Sequence, residues 1–241
     1  LPPKVYRRLP FELEGKQRKF YDAYRQTSLD EMDAFLREHG HMKGDKLEDW
    51  LLKKAQELAI TKAMRLYQIT CGLMPDETGT RIPGTDNPRL DVLRGELEDA
   101  TGKTIVWSRF KPDLHEIYRM LGKKAVRYYG GVSEDERIEA TRRFVKDDSI
   151  QFFVASSAAA YGHSLPAVGA VYHSQSSSLD IRLQSEDRCH GINRTIGPTT
   201  TYTDLEALRT TEQKIFKALK SNKEIADTIL QDPYSIFMEE A

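Results

Sequence analysis

The chain has 241 residues and 27.6 kDa, with 36 basic and 37 acidic side chains, so bulk charge argues for no polyanionic partner and any basic surface must be local. Only Cys71 and Cys189 are present, which excludes a disulfide framework and a cysteine-rich zinc site and suits an intracellular, reducing setting. No apolar run approaches a membrane span, and a chain this long buries about 70% of its unfolded surface, enough for one core with a helical annex.

Val5 to Leu13 alternates apolar and polar residues, and Pro10 makes it an edge strand or an extended arm. A helix follows with Phe20, Tyr24, Met32 and Leu36 on its apolar side, ending at Gly40. A second helix, about Asp45 to Thr70, carries Leu47, Leu51, Ala55 and Leu58. Together they read as a helical hairpin, with Trp50 expected in its packing. Pro75, Gly79, Pro83 and Gly84 punctuate a loop over 74–87, and Pro88 opens a short helix to Ala100.

From Lys103 strand and helix alternate. Strands are expected at 104–108, 125–129, 150–155, 168–173 and 199–203. The helices between them include one with Leu114, Ile117, Tyr118 and Leu121 on one face, and one opened by the capping box Ser133-Glu-Asp-Glu136. A closing helix is expected to carry Leu205, Leu208, Ile215 and Leu219. The pattern predicts an α/β fold, a parallel sheet flanked by helices, whose ligands sit beyond the carboxyl ends of the strands. The loops of interest therefore begin at Ser108, Gly130, Ser156 and Ser174. Three segments are expected: an arm and hairpin over 1–100, the sheet over 101–204 and C-terminal helices over 205–241.

Gly102-Lys103-Thr104 imitates the end of a phosphate-binding loop. Leu97 stands where that motif needs glycine, and the strand follows the tripeptide instead of preceding it, so this is a turn. Asp30-Glu31 lies in a helical region and makes no metal box. The chain thus shows neither a phosphate loop nor a magnesium-binding acid pair. His163, His173 and His190 lack metal-ligand spacing, so no metal is assigned. Helical periodicity from Leu179 puts Gln184 and Arg188 on one face, and an arginine fork with an amide beside it suits a phosphate-rich ligand. Taken alone, each candidate has an ordinary alternative. Ser108 can end a strand, Arg109 can be a solvated charge, Gly130-Gly131 can be a turn, Ser156 can cap the next turn, and Arg142-Arg143 can be a solvated pair.

Gln17-Arg-Lys-Phe-Tyr21, Ile105-Val-Trp-Ser-Arg-Phe110, Tyr129-Gly-Gly131 with Arg137, Val154-Ala-Ser156 through Gly162-His-Ser-Leu165, and Gln184-Ser-Glu-Asp-Arg188 follow one another in an order that resembles the C-terminal half of Swi/Snf-type superfamily 2 helicase-like ATPases, of prokaryotic or phage type. The resemblance covers nearly the whole chain. It implies a RecA-like second lobe with an inserted N-terminal hairpin and a C-terminal helical extension. It also implies ATP held against a first lobe that carries the phosphate loop and the Mg2+ ligands, so that these residues alone are inactive. Arg188 becomes an arginine finger. Gln184, Gly162 and Arg194 lie at the nucleotide, and Ser108, Arg109, Gly130, Gly131 and Ser156 at the nucleic-acid backbone. The partner implied is duplex DNA, held independently of sequence, with no membrane involved; the location is cytoplasmic for a bacterial or phage source. The chain departs from the family at Gly191, where a second arginine is usual, and at His163 and Ser164 within Gly162-His-Ser-Leu165. The alternative reading is a RecA-like module that has lost catalysis and only binds.

Overall fold

A computed structural model describes residues 3–39, 45–162, 165–175, 178–189, 199–220, 234 and 237. In chain order the elements are β1 (Val5–Phe11), α1 (Gly15–His39), α2 (Asp45–Thr70), α3 (Pro88–Glu98), β2 (Thr104–Trp107), α4 (Lys111–Leu121), β3 (Ala125–Tyr128), α5 (Glu134–Lys146), β4 (Phe152–Ala155), β5 (Gly169–Tyr172), α6 (Leu179–Asp187), β6 (Thr201–Ala207) and α7 (Glu212–Lys220). Short 3-10 turns at Gly122–Lys124 and Ser157–Ala159 follow α4 and β4. The chain divides into two compact units, one of residues 1–11 and 88–206, the other of residues 12–87 and 207–241.

The first unit holds a six-stranded sheet in the order β1-β6-β5-β2-β4-β3. Strands β2 to β6 run parallel, with Thr104 opposite both Phe152 and Gly169, Ala125 opposite Phe152, and Gly169 opposite Thr201. Strands β2 and β4 are buried at all four positions, as central strands covered on both faces must be. Ile105, Phe144, Phe153, Ala170 and Tyr202 are fully buried in one cluster. Pro10 falls in an edge strand, as its missing N–H requires. Buried Arg89 of α3 holds its guanidinium 4.8 Å from the Phe11 ring and donates to the His173 carbonyl.

The capping box forms as read. The Ser133 hydroxyl accepts from the Glu136 N–H, and the Glu136 carboxylate accepts from the Ser133 N–H at 2.9 Å. Lys103 acts as a C-cap from outside the helix. Its Nζ donates to the carbonyls of Phe144, Asp147 and Ile150 at 2.6, 2.9 and 3.1 Å, satisfying groups that the end of α5 leaves open.

In the second unit α1 and α2 form the hairpin. Their buried faces are centred on Gln17, Tyr21, Ser28 and Met32, and on Ala55, Ala59, Ala63, Leu66 and Tyr67. Small residues every fourth position let the two helices approach closely. Phe20, Tyr24, Leu51 and Leu58, expected on those faces, are only half-buried, and Trp50 is 41% exposed. The tyrosine at 21 is preferred inside because its hydroxyl accepts from the Thr211 N–H at 2.8 Å. Leu205 lies in β6 and Leu208 in the turn after it, so the closing helix begins only at Glu212. There Glu212 accepts from the Ala207 N–H at 3.1 Å and from the Thr70 hydroxyl.

Candidate functional site

Because β2 to β6 are parallel, the loops after them open on one end of the sheet. β2 leads through α4 toward β3 on one side, while β5 lies on the other, so the crevice between β2 and β5 is a topological switch point. A cavity of about 300 Å³ sits there, lined by Trp107, Ser108, Arg109, Tyr172, Ser174 and Arg182. The Ser174 hydroxyl accepts from the Arg109 N–H at 2.7 Å, fixing the loop after β2 to the loop after β5. Ser108 is buried, and its hydroxyl donates to the Phe110 carbonyl at 3.3 Å. Half-buried Ser156 caps the turn after β4, its hydroxyl accepting from the Ala158 N–H at 3.3 Å. Gly130 and Gly131 are exposed beyond β3, and a Cβ on Gly131 would lie 2.5 Å from the Tyr129 ring.

Arg188 follows α6 directly as its C-cap residue. It is 5% exposed, yet its Nε and Nη1 have no hydrogen-bond partner among the described residues. Burial holds its pKa below the ordinary arginine value. Gly162 takes φ +130°, a conformation that L side chains rarely adopt, and a Cβ there would meet the Arg188 Nη1 at 3.0 Å. The Leu165 N–H donates to the Arg188 carbonyl at 2.7 Å, so the segment after β4 and the end of α6 are tied together at this point. A buried guanidinium with open donors is suited to an anion brought from outside the described residues. Gln184 is half-buried one turn earlier, and no hydrogen bond joins it to Arg188 among the described residues. Arg194, with Gly191, His163 and Ser164, lies outside the described residues.

Sequence reasoning missed Arg182. Its guanidinium lies 3.6 Å from the centre of the Tyr172 ring, ion-pairs with Glu186 at 2.7 Å and Asp204 at 2.6 Å, and donates to the Gln175 side chain at 2.6 Å. Burial works against its charge, but the charge interactions with Tyr172, Asp204 and Glu186 and the hydrogen bond to Asp204 outweigh that, and its pKa is raised. Lys4 and Tyr6 of the β1 segment also donate to Glu186, at 3.0 and 2.7 Å. The network locks α6 against β6 and β1, and with it the origin of the Arg188 side chain. The four-residue spacing of Arg182 and Glu186 was a legible helix-pair signal; the Asp204 partner from β6 was not.

The architecture is a RecA-like lobe, a parallel α/β sheet with its loops gathered at one end and an arginine directly after its last crossover helix. Residues 88–196 match the helicase conserved C-terminal domain family. Over its whole length the chain has the fold of the C-terminal part of the Fun30 ATPase domain, at 19% identity over 98% of both chains and a TM-score of 0.63. The Sulfolobus solfataricus SWI2/SNF2 ATPase core in complex with dsDNA is similar at 20% identity, over 98% of this chain and 48% of that one, with a TM-score of 0.66. The C-terminal domain of the Sulfolobus solfataricus SWI2/SNF2 ATPase, at 18% identity over 94% and 90% of the two chains, gives a TM-score of 0.61. The ATP-dependent RNA helicase drs1 of Aspergillus oryzae is 30% identical over 93 residues, 37% of this chain and 11% of that protein's length. Among the described residues no helix is long and apolar enough to cross a membrane.

Proposed function

We propose that this chain is the second motor lobe of a Swi/Snf-type, ATP-dependent nucleic-acid translocase. The observation that carries the reading is Arg188, a buried guanidinium whose Nε and Nη1 have no hydrogen-bond partner among the described residues, beside a glycine of positive φ. Its donors fit the oxygens of a γ-phosphate bound to another lobe, and charge developing there during phosphoryl transfer would be stabilised by it. Gln184 and Arg194 are assigned to the same nucleotide. Mg2+ accompanies ATP and neutralises phosphate charge; no acid pair near Arg188 is assigned to it, so its ligands are placed on the first lobe, as is the phosphate loop these residues lack. Ser108, Arg109, Ser156, Gly130 and Gly131 are assigned to nucleic-acid phosphates, a sequence-independent hold. Because the Ser156 hydroxyl is engaged as a cap, its contribution is to fix the backbone N–H groups of that turn.

Duplex DNA is favoured over RNA by the whole-chain likeness to SWI2/SNF2 ATPase cores, whereas the RNA helicase drs1 matches a shorter stretch. The second reading, a binding module without catalysis, rests on Gly191 standing where a second arginine is usual.

The test is nucleic-acid-stimulated ATP hydrolysis by this chain, alone and joined to a first lobe, with duplex DNA and duplex RNA compared. Activity only in the joined form, abolished in Arg188→Ala while ATP binding persists, supports the motor reading. Unchanged turnover in Arg188→Ala overturns the finger. A folded, ATP-binding joined protein without turnover favours the binding module.

A further inference from the structure

On the flank of the sheet that carries β3, away from the switch-point crevice, α4 packs across the strand and the two elements bring together an unusual set of side chains. The Arg127 guanidinium lies over two rings at once, 5.1 Å from the centre of Tyr118 and 5.7 Å from that of Tyr129. His115 meets the Tyr129 ring edge-on at 5.0 Å, and its Nδ1 lies 3.5 Å from Arg127 Nη1. Lys111, His115 and Arg119 follow one another at four-residue spacing along α4 and so share one side of it, and burial and then Arg127, Arg119 and Lys111 all oppose protonation of His115. None of the three forms an ion pair among the described residues, whereas Arg7, Arg18, Arg94, Arg142, Arg182 and Arg209 all do. The acids of the same helix are Glu116 and the buried Asp113.

Glu136 at the start of α5 feels the charge of Arg127, but without a close ion pair among the described residues the three neighbouring cations raise one another's energy, and an otherwise balanced chain has no need to concentrate them. Stacking holds the Arg127 fork flat and removes much of the freedom that binding would otherwise cost it. Tyr129 joins this flank to the Gly130-Gly131 loop, since its ring packs against Gly131 on one side and faces Arg127 and His115 on the others. The surface therefore continues from the assigned phosphate-binding loops instead of standing apart. A run of phosphates matches it in charge, with two of the cations on a helix and one on a strand.

We infer that the α4–β3 flank, centred on Lys111, Arg119 and Arg127, is a second surface for nucleic-acid phosphates, beyond the loops at the sheet's end; this rests on the nucleic-acid reading above. The source of the phosphates, DNA or RNA, is left to the probe.

The experiment measures binding of the full chain to a short fluorescent DNA duplex, and to the RNA duplex of the same sequence, across a salt series. Lys111→Gln/Arg119→Gln changes two exposed side chains, and Arg127→Gln is made separately because its stacking also supports the fold. Removing one cation that neutralises a phosphate should reduce the slope of log K against log salt by about 0.9 for a duplex. The double variant should therefore show a slope smaller by about 2 and bind roughly tenfold or more weakly near 0.1 M salt, with an unchanged melting curve. If Arg109→Ala weakens binding but the double variant keeps the original affinity and slope, the second surface is overturned while the nucleic-acid reading stands. If the unmodified chain binds neither duplex, both fall.

Discussion

Replacing Arg188 by Met should make the protein more stable and leave it unable to complete the motor. Nε and Nη1 are both buried without partners among the described residues, and burial already depresses the arginine's pKa. Each unsatisfied buried donor costs about 1–3 kcal/mol. Methionine keeps the stem's apolar packing and adapts to irregular space without bringing a charge. After allowing for the packing of the guanidinium against Gly162, the net gain is about 1–2 kcal/mol, or a rise of roughly 2–8 °C in melting temperature for a chain of this size. The assay is thermal unfolding of the full chain by circular dichroism, checked by the denaturant midpoint. Arg188→Lys, which keeps a buried charge, should show no such gain. A lower or unchanged melting temperature in Arg188→Met would refute the reasoning, because it would make the guanidinium a structural group, satisfied where it stands.

Gly162→Ala should destabilise by about 1–3 kcal/mol, since φ +130° is unfavourable for any L side chain; in an Arg188→Ala background the part due to the 3.0 Å approach disappears and only the backbone cost remains. Lys103→Met should cost about 2 kcal/mol, because three carbonyls, two at the end of α5 and that of Ile150 before β4, lose one shared donor; a denaturant midpoint equal to that of the unmodified chain would show that water replaces it without penalty. Burial pushes the Glu186 carboxyl up, but Arg182, Tyr6 and Lys4 outweigh this and its pKa is lowered below 4.5. Its contribution to stability is therefore complete above the unfolded value and is lost as pH falls through the folded one; an acid-unfolding series should show this loss, and Glu186→Gln should flatten it.

Much of the sheet was legible because its signals are local. Four-residue apolar runs bounded by glycine and polar turns, and a capping box at Ser133, each declare themselves without reference to the rest of the chain. Arg188 was legible as a candidate, but the lack of hydrogen-bond partners for its Nε and Nη1 among the described residues was not, since that depends on how the segment at Gly162 and Leu165 packs against it. Lys103 was read as part of a turn before a strand, yet nothing in sequence pointed to α5 as its partner, about forty residues away. The phase of the hairpin was misread by about one residue because a buried tyrosine and a run of alanines carry a weaker periodic signal than the leucines beside them. Leu205 belonged to a strand because β6 runs on beyond Asp204, the last residue in register with β5, where its remaining neighbour is β1.

The two borders of the sheet have a bearing on how the protein behaves in concentrated solution. At one border β1 carries Arg7, Arg8 and Pro10, and at the other β3 is only four residues long with Arg127 in its middle. A short strand, a proline and charges on border strands are the features that stop one sheet from continuing into the next molecule's. Strand-to-strand aggregation is thereby discouraged at both ends of the sheet.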